Sequence, residues 1–183
     1  MNSSHWNRRR LIATLAGTTL YPLAGCASLP PRPRTTRWIE LRNAHTNESI
    51  NVVFADDRGF VDEGLRKLEF FLRDFRQKET HRMDSRLYVL LTDLADTARC
   101  PPRYEVISGY RSPDTNEKLL EQGHHVAQHS MHMEGRAMDV RLRGCSVAKL
   151  RDLAMAAAQG GVGYYPKDQF VHIDTGPVRA WVG

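Results

Sequence analysis

The spacing of apolar residues predicts a hairpin and two amphipathic helices in the first half of the chain. Two β-prone runs, at residues 38–41 and 50–54, flank a polar stretch suited to a turn, so they predict a β-hairpin. Apolar residues then recur at helical spacing through residues 61–77, which predicts a helix with one buried face. A second leucine stripe begins after Asp84, a residue suited to capping a helix, and the Cys-Pro-Pro run at 100–102 ends it.

Strand and helix patterns alternate in the second half. Strands are predicted at residues 104–110, 136–142, 162–165 and 170–175, and helices at residues 114–122 and 146–159. A hairpin and helices, followed by strands interleaved with helices, favour a small α+β domain. We expect its sheet to be mainly antiparallel and flanked by helices.

The first 26 residues have the pattern of an export signal. Three arginines at positions 8–10 precede an apolar run at 11–17, which is far shorter than the ~20 residues that span a bilayer. Residues 7–12 resemble a twin-arginine export signal. The sequence Leu-Ala-Gly-Cys that ends at Cys26 resembles a lipobox, in which this cysteine would become the lipid-modified first residue. Cleavage by ordinary signal peptidase after Ala27 is the alternative.

These patterns divide the chain into a signal segment at residues 1–26, a proline-rich tether at 27–36 and a folded domain at 37–183. We expect export to the periplasm and attachment to a membrane facing it through lipid chains on Cys26. The domain is expected to be a monomer. Cys100 and Cys145 then remain, either as a disulfide or as two free buried thiols.

The charge balance argues against a nucleic-acid-binding protein. The formal net charge is +5, but the signal segment contributes three arginines and no acidic residue, which leaves 23 basic and 21 acidic residues. A nearly balanced domain has no basic footprint for nucleic acid. The balance is compatible with an acidic substrate such as cell-wall peptide.

Three separated side chains supply a ligand set suited to zinc. His132 and Asp139 lie seven residues apart, with the small residues Gly135 and Ala137 between them. The glycine permits a turn in which the backbone passes close beneath a metal, and the alanine leaves room for the ion on the strand face that Asp139 shares. His172, in a later strand, offers a second imidazole. Two imidazoles and a carboxylate with an open fourth position are typical of catalytic zinc.

The motif Ser-x-His-x-x-Gly-x-Ala-x-Asp at residues 130–139 resembles the zinc motif of the M15-type D-Ala-D-Ala carboxypeptidase and hedgehog-like metallopeptidases. Two further blocks, Ser-Gly-Tyr-Arg-Ser at 108–112 and residues 160–177, narrow the resemblance to the murein endopeptidase K-like branch. The similarity covers residues 36–181. It implies a hedgehog- and D,D-peptidase-like fold.

The resemblance also implies roles for individual residues. His132, Asp139 and His172 would bind Zn²⁺, and Arg111 would polarise the scissile carbonyl. The implied activity is zinc-dependent hydrolysis of the peptide cross-links of peptidoglycan, between meso-diaminopimelate residues in 3-3 links and also in D-Ala-containing 4-3 links. Peptidoglycan peptides would be the partners.

The chain departs from the carboxypeptidase pattern at the expected acid/base residue. That pattern has glutamate three residues before the last histidine, where this chain has Gln169, an amide that cannot hold the proton. Asp174 shares a strand face with His172, and we interpret it as the substitute base. Glu134 and a histidine of the loop at residues 124–129 are the alternatives.

Two other functions fit the same motif. The domain could be a D,D- or L,D-carboxypeptidase that trims peptidoglycan stem peptides. It could also be a zinc-stabilised peptidoglycan-binding domain without turnover, since hedgehog-like proteins keep such a metal site and Gln169 replaces the expected acid. Outside the motif, His124, His125 and His129 are interpreted as surface residues of a polar loop.

Overall fold

The computed structural model describes residues 36–123 and 127–183. The predicted signal segment, its lipobox and nearly all of the tether lie outside the described residues, so export and attachment through Cys26 stay predictions. The strands are β1 (Arg37–Asn43), β2 (Ser49–Asp56), β3 (Gly59–Phe60), β4 (Arg103–Ser108), β5 (Ala137–Leu142), β6 (Gly161–Tyr165), β7 (Phe170–Asp174) and β8 (Arg179–Val182). The helices are α1 (Asp62–Phe71), α2 (Ser85–Ala98), α3 (Pro113–Glu121) and α4 (Val147–Ala157). Among these residues, no helix combines the length and the apolar character needed to cross a membrane.

The eight described strands form one sheet in the order β3-β2-β1-β4-β5-β7-β6-β8. The predicted α+β class is confirmed, but the sheet is mixed rather than mainly antiparallel, because β1 pairs parallel with β4 and β6 pairs parallel with β8. The first parallel pair arises because β2, β3, α1 and α2 lie between β1 and β4, a connection long enough for a parallel return. The second parallel pair arises because β8 does not pair with β7, the strand before it in sequence, but with the other edge of β6.

The predicted hairpin is present as β1 and β2, but the helix predicted at residues 61–77 is too long. α1 ends at Phe71, and the chain then turns around Asp74. The Asp74 carboxylate accepts the backbone N–H groups of Arg76 and Gln77 at 3.0 and 3.4 Å. Such side-chain bonds to nearby backbone compete with helix hydrogen bonding. The helical spacing of apolar residues therefore continues in the sequence beyond the residue at which the helix ends.

The other predicted elements are confirmed with small shifts at their ends. Asp84 caps α2 by accepting the backbone N–H of Arg86 at 3.0 Å, as predicted. The helix ends at a left-handed Arg99, just before the prolines. Two short strands, β3 and β8, were not predicted, because neither is long enough to show a period of two. Cys100 and Cys145 are free thiols, each partly buried at the edge of the core.

One face of the sheet packs against α1, α2 and α4. The leucine stripes of the helices are buried there, which confirms their predicted core role. The largest fully buried side chains include Ile39, Leu41, Phe54, Leu68, Leu72, Leu87, Tyr88, Leu91, Tyr104, Met138, Leu150 and Ile173. Met138 of β5 and Ile173 of β7 face this core. Because side chains alternate along a strand, the residues next to them in sequence face the opposite side of the sheet.

Candidate metal centre

The pairing of β5 with β7 brings two of the predicted metal ligands together. Asp139 lies directly opposite His172 in this antiparallel pair. Both side chains are buried, at 7% relative exposure. Asp139 Oδ1 lies 2.9 Å from His172 Nδ1. Strand register alone therefore places a carboxylate against an imidazole.

The third predicted ligand, His132, comes from the turn before β5. Gly135 adopts φ +65°, and a Cβ atom there would lie 2.2 Å from the carbonyl oxygen of Arg82. The glycine therefore allows close approach to the segment before α2 rather than to a metal, which corrects our prediction. His132 Nδ1–H donates to the carbonyl of Gly109 at 2.8 Å. Because a carbonyl only accepts, this bond leaves the lone pair on His132 Nε2.

The three donor atoms form a compact triangle. His132 Nε2 lies 3.2 Å from His172 Nδ1 and 3.3 Å from Asp139 Oδ1, and the third edge is 2.9 Å. With bonds of roughly 2.0–2.1 Å, two ligands of a tetrahedral zinc ion lie about 3.3–3.4 Å apart. The edges are at or slightly below this separation. These residues therefore fit three corners of a zinc site, and they line a cleft that leads to the surface.

Asp174 lies behind His172 rather than beside the donor triangle. Its carboxylate is 0% exposed and accepts the Nε2–H of His172 at 3.0 Å. It also accepts the backbone N–H groups of Gly161 and Gly176 at 2.9 and 2.8 Å, and it pairs with Arg179 at 2.7 Å. A carboxylate with all these partners orients the imidazole. The shared strand face predicted for Asp174 and His172 is present, but this placement favours a positioning role.

The two carboxylates that contact His172 determine whether this histidine is protonated. Burial lowers the pKa of His172, but hydrogen bonds to Asp139 and Asp174 outweigh burial and raise this pKa to about 9. Burial of Asp139 opposes its ionisation, yet the electrostatic interaction with His132 and hydrogen bonds with both histidines hold the pKa of Asp139 well below its ordinary value. Without a metal, His172 therefore carries a proton on Nδ1, the atom that would bind the ion.

Zinc affinity is expected to rise with pH. Below about pH 9, a metal must displace the His172 proton. Each pH unit of acidification between about pH 6 and 8 should therefore weaken apparent zinc binding about tenfold through this residue. Competition against a chelator, calibrated at each pH, measures the slope. An affinity that is constant across this range would contradict the proton assignment.

Substitution of Asp174 by asparagine is expected to lower zinc affinity about 10- to 100-fold. One oxygen of the carboxylate faces His172, and the other faces two backbone N–H groups. Whichever oxygen the asparagine NH₂ group replaced, this group would face another hydrogen-bond donor, either His172 or the backbone N–H groups. Zinc competition and thermal unfolding measure the effect, with the exposed Asp168→Asn as the matched control. Unchanged affinity together with lost turnover would instead support the base role.

Arg111 projects into the same cleft as the three predicted metal ligands. Its backbone N–H donates to the carbonyl of His132 at 3.2 Å, and its guanidinium donates to Asn116 Oδ1 at 3.2 Å. Burial lowers the pKa of Arg111, while the charge of Asp139 opposes this effect. The side chain is 9% exposed. Among the described residues, no carboxylate is hydrogen-bonded to this buried guanidinium, which leaves it able to stabilise a developing oxyanion.

The other residues considered for proton transfer lie in different places. Gln169 is exposed and bonds to a backbone carbonyl within its own turn. Glu134 is exposed and paired with Arg136 at 3.1 Å. His129 lines the cleft together with the metal ligands. His124 and His125 lie outside the described residues.

Aromatic side chains form the wall of the cleft, and sequence analysis missed the largest of them. Trp181 of β8 lies 5.1 Å from the ring of His172 and donates to the Tyr165 hydroxyl at 3.1 Å. A Cβ atom at Gly163 would meet the indole at 2.6 Å, so this glycine makes room for it. The glycines at the first and middle positions of β6 were the sequence signal that could have indicated a large side chain packed against this strand. Tyr110, which belongs to the Ser-Gly-Tyr-Arg-Ser block, packs in the core.

Comparison with known proteins identifies the family of this chain. The profile of the family described as peptidoglycan L,D-endopeptidase MepK matches residues 32–181. The peptidoglycan L,D-endopeptidase MepK of Escherichia coli K12 is 41% identical over 179 residues, which cover 96% of this chain and 97% of that protein. A probable peptidoglycan L,D-endopeptidase MepK of Haemophilus influenzae is 35% identical over an alignment of 188 residues, which covers 100% of this chain and 100% of that protein. No solved structure matches this chain significantly. The chain therefore belongs to the peptidoglycan L,D-endopeptidase MepK family of M15 peptidases.

Proposed function

We propose that this protein is a zinc-dependent murein endopeptidase that hydrolyses the peptide cross-links of peptidoglycan. The proposed bonds are those between meso-diaminopimelate residues in 3-3 links, with D-Ala-containing 4-3 links as a second substrate. The observation that carries the proposal is the buried triangle of His132, Asp139 and His172 at a cleft that also holds Arg111. The activity named for the relatives supports the same reaction class.

Each residue of the site has a distinct task in this proposal. Zinc bound by the triangle would polarise the scissile carbonyl and lower the pKa of a coordinated water. His132 Nε2 and His172 Nδ1 would face the ion, because the Gly109 carbonyl and the Asp174 carboxylate accept hydrogen bonds from the opposite ring nitrogens. Arg111 would donate to the oxygen that gains negative charge as the peptide bond is attacked. Its guanidinium is already oriented, so little reorganisation is needed.

Proton transfer in this proposal falls to a group outside the ligand network. Asp174 already uses its oxygens behind His172. His129 lines the metal cleft, and histidine is the side chain that most often serves as a general acid or base. We therefore place the acid/base role on His129. A His129→Ala protein that keeps both zinc and wild-type turnover would remove this assignment.

Digestion of purified muropeptide dimers tests the function. We expect dimers with 3-3 links to be released as monomers, and chelation of zinc to stop the release until the metal is restored. Loss of a single terminal D-Ala without monomers would identify a carboxypeptidase instead. Retention of zinc without cleavage of any muropeptide would leave a binding domain and overturn the enzymatic proposal.

A further inference from the structure

The cleft extends beyond the metal ligands into a region with an unusual charge arrangement. Arg76 and Arg111 both line this extension, which also reaches Asp139. Burial is the main cause of the lowered pKa of Arg111, and the nearby positive charge of Arg76 lowers this pKa further. Neighbouring like charges in one cleft attract a negatively charged ligand.

Arg76 has no carboxylate partner among the described residues. Its guanidinium stacks on the ring of Phe75 at 4.4 Å, and Phe75 in turn stacks on His45 at 5.2 Å. The Arg76 side chain is exposed, and these aromatic contacts do not neutralise its charge. By contrast, Arg73 pairs with Glu48 at 2.9 Å. Arg141, also in the cleft, pairs with a glutamate of β4 at 2.7 Å.

The nearby acidic groups are engaged elsewhere or belong to the metal site. Asp74 is 2% exposed, and its carboxylate accepts the backbone N–H and hydroxyl of Ser112 at 3.0 and 2.7 Å. Asp139 belongs to the donor triangle. Asp168 also lines the extension but forms no ion pair with Arg76. The Arg76 guanidinium therefore remains available to an anion that enters the cleft.

We propose that Arg76 is a specificity-determining residue that binds the free carboxylate of the substrate residue on the amine side of the scissile bond. This inference rests on the proposed function. In both proposed cross-links, the nitrogen of the scissile bond belongs to a diaminopimelate centre whose carbon also bears a carboxylate. In this arrangement Arg111 interacts with the carbonyl of the scissile bond, and Arg76 pairs with the carboxylate on the amine side. The planar fork of a guanidinium suits a carboxylate.

Two dimers test the proposal, one with this carboxylate free and one with it converted to a carboxamide. We expect the wild-type protein to cleave the free form with a KM about tenfold lower. Arg76→Ala should raise the KM for the free form by a similar factor, change the KM for the amidated form little, and leave kcat nearly constant. Arg76→Lys should recover part of the preference because it keeps the charge.

Arg66→Ala is the matched control, since it removes one exposed arginine from α1 outside the cleft. Its preference should equal that of the wild type. If Arg76→Ala keeps the full preference, or weakens cleavage of both dimers equally, the carboxylate subsite is refuted while the endopeptidase proposal stands. If the wild-type protein cleaves neither dimer, both proposals fail.

Discussion

Replacement of His132 by alanine is expected to release zinc and to lower kcat/KM for cross-link hydrolysis on the order of 10³-fold or more. Loss of an outer partner of a zinc ligand typically costs about 10- to 100-fold, and loss of the ligand itself should exceed this. The substitution removes one corner of the donor triangle, and the two remaining donors, on Asp139 and His172, cannot complete the site. Metal content and dimer digestion measure both effects.

The matched control for this variant is His81→Ala, which removes an exposed imidazole that stacks on Tyr110 and is not a metal donor. It should retain zinc and near wild-type turnover. Circular dichroism and thermal unfolding establish whether the His132 variant still folds. A folded His132 variant with full zinc content and full turnover would refute the proposed metal centre.

Replacement of Arg111 by alanine is expected to reduce kcat about 10²- to 10³-fold while zinc content stays unchanged. A preorganised donor aimed at the developing oxyanion typically contributes an effect of this size. Arg111 is not one of the metal donors, and its guanidinium bonds only to an asparagine side chain among the described residues. Its removal should therefore act on turnover rather than on metal binding.

Arg111→Lys distinguishes charge from geometry in this experiment. Lysine keeps the positive charge but lacks the rigid fork, so we expect partial recovery of kcat. Arg66→Ala again controls for net charge. If Arg111→Ala keeps wild-type kcat and raises only KM, the residue binds substrate without stabilising the transition state, and its assignment must change.

The grouping of the three predicted metal ligands was accessible to sequence analysis because each lies in a short, recognisable pattern. His132 and Asp139 belong to one ten-residue motif, and His172 lies within an apolar strand pattern of its own. The β5 and β7 patterns also predicted which residues share a face. What the patterns could not give was the pairing partner of each strand, since register between distant segments depends on the whole sheet.

The features that were missed are long-range contacts. Asp174 shares a strand face with His172, as expected, but only the folded chain shows the backbone N–H groups and Arg179 that surround its carboxylate. The available charge of Arg76 likewise depends on the ion pairs that its neighbours form. The early end of α1 arises because Asp74 caps the following turn, a local competition that apolar spacing does not report.

The direct opposition of Asp139 and His172 limits how this family can vary in length. Gain or loss of one residue inside β5 or β7 would rotate the following side chains to the other face of the sheet, so one ligand would face the core. Natural insertions and deletions should therefore collect in connections such as residues 143–146 and 166–169, which lie outside the paired strands. Divergent members would differ in loop size around an invariant pair of strands.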